Sequence, residues 1–264
     1  MPEPTSVLLT IAYDGAAFAG WAAQKDTRTV QGVVLEAIAK MDPSVVALRG
    51  ASRTDAGVHA EGQLAAFDPR REIDARGWVL GLDSQLPDDV AVRAARTVPL
   101  GYDPRTMSRG KRYRYRLLLD PVRDPLLRGR SWRIGFDLDL DRMAREAARA
   151  EGTHDFRAFR TAHDQRQNTV RTLSRVAVER ESDRVVAVAV SGTAFMHNMV
   201  RILVGTLVDV ARGQLDEGAV TRAIGSGARS DLGPTAPAHG LCLEHVDVAL
   251  PETGPADAGV SWPR

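Results

Sequence analysis

The sequence predicts an α+β fold with a mostly antiparallel sheet. Strand-like and helix-like stretches alternate irregularly, with one strand following another at 172–179 and 184–190. That irregular alternation points away from a doubly wound parallel sheet, and the absence of a phosphate-binding glycine loop or a dinucleotide fingerprint points away from cofactor-dependent chemistry. At 264 residues and 44% hydrophobic content, the chain can pack its own core as one large domain or two small ones.

Residues 7–13 form a short β-rich run. From 29 to 41 the apolar positions Val30, Val33, Val34, Ala37, Ile38 and Met41 follow a helical period, with Thr29 as the cap. Strands are expected at 45–49, ending at Gly50, and at 63–67. A helix is expected from 74 to about 85, closed by Leu86-Pro87, then a strand at 90–98. The second half repeats the theme with a strand at 112–119, a helix at 139–150, strands at 172–179 and 184–190, and a helix at 195–212. A short helix after Asp216 and a strand at 241–248 complete it. This order divides the chain into a first α/β subdomain over 1–104, a second over 105–250, and a tail, 251–264, expected to be poorly ordered. The stretch 120–132, rich in Pro and Arg, is the best candidate for a linker or insertion.

Bulk composition excludes several classes. No segment approaches the roughly 20 uninterrupted apolar residues of a membrane span, and residues 1–6 lack a basic stretch leading into an apolar run. A soluble, cytoplasmic protein is expected. The single cysteine, Cys242, excludes an intramolecular disulfide and a cysteine-rich zinc site. Net charge is +1, but lysine occurs only at 25, 40 and 111, so nearly all positive charge is arginine. That bias suits phosphates and bases, and equally reflects genome composition. Distribution is more telling. Arg105, Arg109, Lys111, Arg112, Arg114 and Arg116 lie close together with Tyr113 and Tyr115 interleaved, a pattern of either a nucleic-acid surface or a solvated edge strand.

The run Arg-Thr-Asp-Ala-Gly-Val-His at 53–59 places the carboxylate of Asp55 in a loop at a strand end, between Arg53 and a glycine turn at Gly57. Asp followed by a glycine turn is most often a turn and nothing more, so Asp55 needs further support. The helix at 195–212 supplies some. It is apolar on nearly every face, and Arg201 lies in its middle, where a guanidinium requires an acceptor. Gly205, one turn on, removes bulk beside Arg201, and His197 lies one turn back. Pairing with Asp209, or an extended side chain reaching the surface, are the bland alternatives. On the strand at 112–119, Tyr113 and Tyr115 point to one face and Arg112, Arg114 and Arg116 to the other.

The six histidines, His59, His154, His163, His197, His239 and His245, are dispersed, and none forms a metal-binding pair on a convincing helix. No metal is expected. No serine sits in a nucleophile-elbow pattern, and no cofactor is expected either.

Taken in order, these motifs resemble the tRNA pseudouridine synthase A family. They are Tyr13-Asp14-Gly15 with Gly20-Trp21, the run 53–59, Leu86-Pro87 ahead of 90–93, and Arg105. Then follow Lys-Arg-Tyr-Arg-Tyr at 111–115, Asp155-Phe156 with Phe159-Arg160, Phe-Met-His-Asn-Met-Val-Arg at 195–201 with Gly205, and Ala236-Pro237 before Gly240-Leu241. Any one is weak; the ordered set is specific. Asp83 ahead of Leu-Pro, Tyr102-Asp103 before Arg105, and Ala22 after Gly20-Trp21 depart from the family pattern.

The resemblance implies isomerisation of uridine to pseudouridine at positions 38 to 40 of the tRNA anticodon stem and loop. It implies two α/β subdomains sharing a continuous, mostly antiparallel sheet, and a homodimer whose tRNA cleft uses both chains. It implies that Asp55 is the catalytic aspartate, that Arg201 pairs with it, and that Tyr113 stacks on the target base. Arg53 helps open the stem, and His59, Arg105, Lys111 and Arg112 join it in binding RNA. Such chemistry needs no cofactor, since the base is only detached, turned and rejoined. Two other classes stand beside this reading: a tRNA-binding module without catalysis, and a hydrolase using Asp55 as a nucleophile toward phosphate. The hydrolase would need a magnesium site of several acids, and no second carboxylate cluster lies near the motif.

Overall fold

The first apolar run folds as β1 (Thr5–Tyr13), and both odd and even positions along it are buried, so both faces are covered. The computed structural model describes residues 5–161 and 167–250. The tail at 251–264 and His163 lie outside the described residues. The fold is α+β, with ten strands and five α-helices among the described residues. It forms two compact units, one of residues up to Arg109 with Leu243 onward, the other of Gly110–Cys242.

In the first unit, β1 is flanked by β3 (His59–Phe67) and β4 (Val90–Pro99), both antiparallel to it. On the other side of β3 lie β2 (Arg49–Gly50) and the last strand, β10 (Leu241–Val248). α1 (Val30–Met41) begins at its expected cap, where the Thr29 side chain accepts from the Gly32 amide. α2 (Ala75–Asp83) is capped by Asp74 in the same way and drives Trp78 edge-on against Phe67. Residues 45–49, expected as a strand, are mostly loop. Val45 and Leu48 are buried while Val46 is 83% exposed, a spacing of three where a strand needs two. The cause is Asp42, whose carboxylate accepts from the Ser44, Arg70 and Arg71 amides and from the Ser44 hydroxyl, closing a turn directly after α1.

The β1–β3 register has a functional consequence. Tyr13 ends β1 opposite Ala60 near the start of β3. Antiparallel pairing therefore delivers residues 14–21, as they leave β1, beside residues 53–59 as they enter β3.

In the second unit, β5 (Ser108–Leu119) pairs antiparallel with β9 (Val185–Gly192) and in parallel with β6 (Trp132–Ile134). β9 pairs with β8 (Val170–Arg180), and β8 with β7 (Gly152–Asp155). α3 (Leu140–Ala148) packs on α4 (Met199–Ala211) and β8, and α5 (Ala219–Ser226) on α4. Buried Glu146 joins α3 to α5 by accepting the Gly218 and Val220 amides at the start of α5. The expected linker at 120–132 is an excursion within this unit between β5 and β6. It carries a short 3-10 turn and is tied down by Arg184, which reaches Asp120 and Asp124. Among the described residues, no helix is long and apolar enough to cross a membrane.

Candidate active site

Asp55 is half-buried at the tip of a turn. Its carbonyl accepts from the Val58 amide at 3.1 Å, and Gly57 holds φ at +78°, the value the third position of a type II turn demands. The sequence expectation of a glycine turn is therefore met, but the turn does not stand alone. The Tyr13 hydroxyl meets the Thr54 hydroxyl at 2.7 Å, and the Trp21 amide donates to the Thr54 carbonyl at 3.1 Å. The Gly57 amide donates to the Phe18 carbonyl at 3.3 Å. Upstream, the fully buried Gln63 side chain bonds both the amide and the carbonyl of Ser52, as a strand would.

Two glycines make this approach possible. A Cβ on Gly15 would lie 2.0 Å from the Val58 carbonyl oxygen, and one on Gly20 2.7 Å from that of Thr54. The Tyr-Asp-Gly and Gly-Trp motifs thus act as the seat of the Asp55 loop. The sequence alone carries these motifs without showing this role. Their signal was the pair of glycines beside large aromatics, which marks close backbone approach.

His59 lies inside this packing. Its Nδ1 accepts from the Gly15 amide at 3.0 Å and sits 3.1 Å from Asp14 Oδ1. Arg53 and Arg105 are exposed. Arg105 follows a well-anchored loop, in which the buried Tyr102 hydroxyl donates to the Ala249 carbonyl and the Asp103 carboxylate accepts the Arg105 amide. Of the departures from the family pattern, Tyr102 and Asp103 therefore serve the local fold, while Asp83 is exposed at the end of α2 and Ala22 is half-buried.

In the second unit the tyrosine and arginine faces of β5 separate as expected: Tyr113 and Tyr115 are buried, while Arg112 is exposed and Arg114 and Arg116 are half-buried. The Tyr113 ring stands edge-on to Phe195 at 5.0 Å. Tyr115 donates to the Pro237 carbonyl at 2.7 Å, and a Cβ on Gly240 would strike its ring. Burial pushes the Tyr115 hydroxyl well above the usual phenol range, with the charge of Arg201 opposing, so it stays a neutral donor. On the other face, Arg114 pairs with Glu179 and Glu181, and Arg116 with Glu181. The register explains this: Arg114 and Arg116 sit opposite Ala189 and Ala187 of β9, small residues over which a guanidinium can reach β8. These two arginines are engaged in the fold. On the same strand Lys111 is half-buried and Arg112 exposed, opposite Gly192 and Ser191 of β9.

Arg201 is half-buried on α4, and its expected acceptors are present in a form the sequence did not suggest. Nη1 donates to the Asn198 side chain at 2.6 Å, and Nε to the Ala236 carbonyl at 2.8 Å. Asn198 adopts left-handed φ of +61°, so α4 starts at Met199 and not at Phe195. His197 consequently precedes the helix and contacts Thr161. The gap left by Gly205 is filled by the chain itself, since a Cβ there would lie 1.8 Å from the Pro234 carbonyl oxygen. Asp209, the alternative partner for Arg201, pairs with Arg212.

The first unit thus gathers Asp55 and His59 around residues 13–21, and the second gathers Tyr113, Phe195, Arg201 and the 234–240 loop. Among the described residues, no three of His, Cys, Asp or Glu cluster as metal ligands would.

Comparison with known proteins adds names to this geometry. A family model described as tRNA pseudouridine synthase matches residues 9–105 and 147–247. Asp55 and Arg201 lie inside those spans, and Tyr113 between them. A protein from Myxococcus xanthus named tRNA pseudouridine synthase A is 43% identical over 90% of this chain and 90% of its own length. Proteins of the same name from Geobacter sulfurreducens and Geotalea daltonii are 41% and 40% identical, each over 91% of this chain and 98% of their own.

Proposed function

The chain belongs to the tRNA pseudouridine synthase family, an isomerase turning uridine into pseudouridine in tRNA, and we propose that it acts at positions 38, 39 and 40 of the anticodon stem and loop. The observation that carries the catalytic assignment is the half-buried Asp55 carboxylate, presented on a turn whose two flanks are both bonded to residues 13–21. A reacting group is useful only when its position is held, and here the fold supplies that holding.

The reaction breaks the bond from uracil N1 to the ribose, turns the base, and rejoins it through C5 with no net change in composition. Asp55 is the nucleophile in this reading. Tyr113 and Arg201 carry the roles of the family resemblance: the ring stacks on the target base, and the guanidinium pairs with the catalytic carboxylate. The edge contact with Phe195 supports the first role by fixing the Tyr113 ring, and the bonds to Asn198 and Ala236 support the second by orienting Arg201. A stem uridine must leave its stack before it reacts, and aromatic stacking of the extruded base contributes on the order of 1–3 kcal/mol. Exposed Arg53, Arg105 and Arg112, with Lys111, bind the RNA backbone, and Arg53 takes the place of the flipped nucleotide. His59 completes the RNA-binding set from its position beside the Asp55 turn. The protein works in the cytoplasm as a homodimer whose two chains both line the tRNA cleft.

The test is release of tritium from tRNA labelled at uracil C5, using transcripts with uridine at only one of positions 38, 39 or 40. Release from all three by the wild-type chain, and from none by Asp55→Ala, is the expected outcome. Release confined to uridines outside the anticodon arm would overturn the site assignment.

A further inference from the structure

Asp55 is flanked by two anchors, and they differ in kind. After it, the Gly57 amide and the Val58 carbonyl are held against Phe18 and Gly15 through backbone packing. Before it, Thr54 is held partly by the Trp21 amide and partly by a buried contact between two side-chain hydroxyls, Tyr13 Oη and Thr54 Oγ1, 2.7 Å apart. Both residues are buried, at 5% and 7% exposure, so water competes poorly for either hydroxyl. Tyr13 is also the last residue of β1, registered against both β3 and β4. Its hydroxyl thus transmits the position of a rigid sheet to the residue immediately before the reacting carboxylate.

We propose that Tyr13 is a positioning residue for uridine isomerisation: by holding the Thr54 hydroxyl, it sets where the Asp55 carboxylate stands. The inference rests on the reading of Asp55 as the catalytic group. It requires no contact of Tyr13 with RNA, because the ring is packed toward Trp21, with centroids 6.1 Å apart. Removing the hydroxyl leaves that packing and the Trp21 amide bond to Thr54 in place, and loosens the loop on one side alone. A shift of the order of 1 Å in a reacting group is enough to cost up to about 100-fold in rate.

Four variants of the full chain test this by tritium release: Tyr13→Phe, Thr54→Val, the two combined, and Thr54→Ser. Tyr13→Phe and Thr54→Val are each expected to lower kcat about tenfold while KM stays within about twofold, and the double variant is expected to be no worse than about either single one. Thr54→Ser, which keeps the hydroxyl, is expected to retain most of the rate. Hydrogen exchange supplies a readout independent of activity: amides 53–58 exchange faster in Tyr13→Phe, while those of β4, on the opposite side of β1, do not. The proposal is overturned by unchanged kcat in Tyr13→Phe, by single effects that multiply in the double variant, or by a change in KM alone. It is equally overturned by exchange that rises in β4 as much as in the loop, which would mean general loosening. A wild-type chain that releases no tritium sinks the catalytic reading and this one with it, whereas an active wild type with an indifferent Tyr13→Phe sinks the positioning role alone.

Discussion

Asp55, Tyr113 and Arg201 are each held by neighbours whose chemistry differs, and each neighbour gives a separate expectation. Asp55→Asn keeps the size of the side chain and removes the proposed nucleophile, so turnover is expected to fall by at least about 1,000-fold with tRNA binding retained, read by tritium release and filter binding. Tyr113→Phe keeps the ring against Phe195 and is expected to bind tRNA with a lowered rate; equal activity would mean that the hydroxyl has no part. Asn198→Ala removes the acceptor 2.6 Å from Arg201 Nη1 and relaxes the left-handed start of α4. A fall in kcat of about tenfold is expected, partly recovered by Asn198→Asp, with a carboxylate at the same distance. At this scale the sequence singled out residues more clearly than it showed what they touch. Arg201 stood out because a guanidinium on an apolar helix demands acceptors. That two of them are an amide side chain and the Ala236 carbonyl depended on a loop 35 residues away.

Helices and long strands were the most legible elements, and the reason is local. Thr29, Asp74 and Asp139 each cap the helix that follows, and caps are written in adjacent residues. The alternation of tyrosine and arginine on β5 survived intact for the same reason. β6 and β7 were not foreseen, being three and four residues long, too short to display a period. The stretch at 45–49 misled because its apolar residues are spaced for a turn closed by Asp42, which is itself held by the distant Arg70 and Arg71 amides. The sharpest element-level expectation concerns α4 and the 234–240 loop. Gly205→Ala drives a methyl group into the Pro234 carbonyl, so the helix and the loop that supplies the Ala236 acceptor must part. A loss of about 3 kcal/mol in urea unfolding is expected, with kcat lowered in whatever fraction stays folded.

For the molecule as a whole, acid stability is tied to Asp42. Burial alone would raise its pKa, but the Ser44 hydroxyl and the Arg71, Arg70 and Ser44 amides together lower it to about 2 from an ordinary 3.8. A carboxylate depressed in the folded state contributes stability that is complete above the unfolded value and disappears as pH falls through the folded one. Urea midpoints are therefore expected to drop between about pH 4 and pH 2, and Asp42→Asn to flatten that drop while costing on the order of 2 kcal/mol near neutrality. The proposed homodimer is checked by light scattering, which is expected to give twice the chain mass; a monomer active on tRNA would refute a cleft shared by two chains. The sequence alone determined the α+β class, most element boundaries, the Asp55 turn, and a family membership carried by ordered short motifs. These are properties of neighbouring residues, where caps, periods and glycine turns act. The tertiary structure alone decided that the first motif seats the Asp55 loop, that Arg114 and Arg116 are engaged with glutamates, and that Gly205 makes room for the protein's own backbone. Each depends on strand register or on segments far apart in sequence, which local pattern cannot encode.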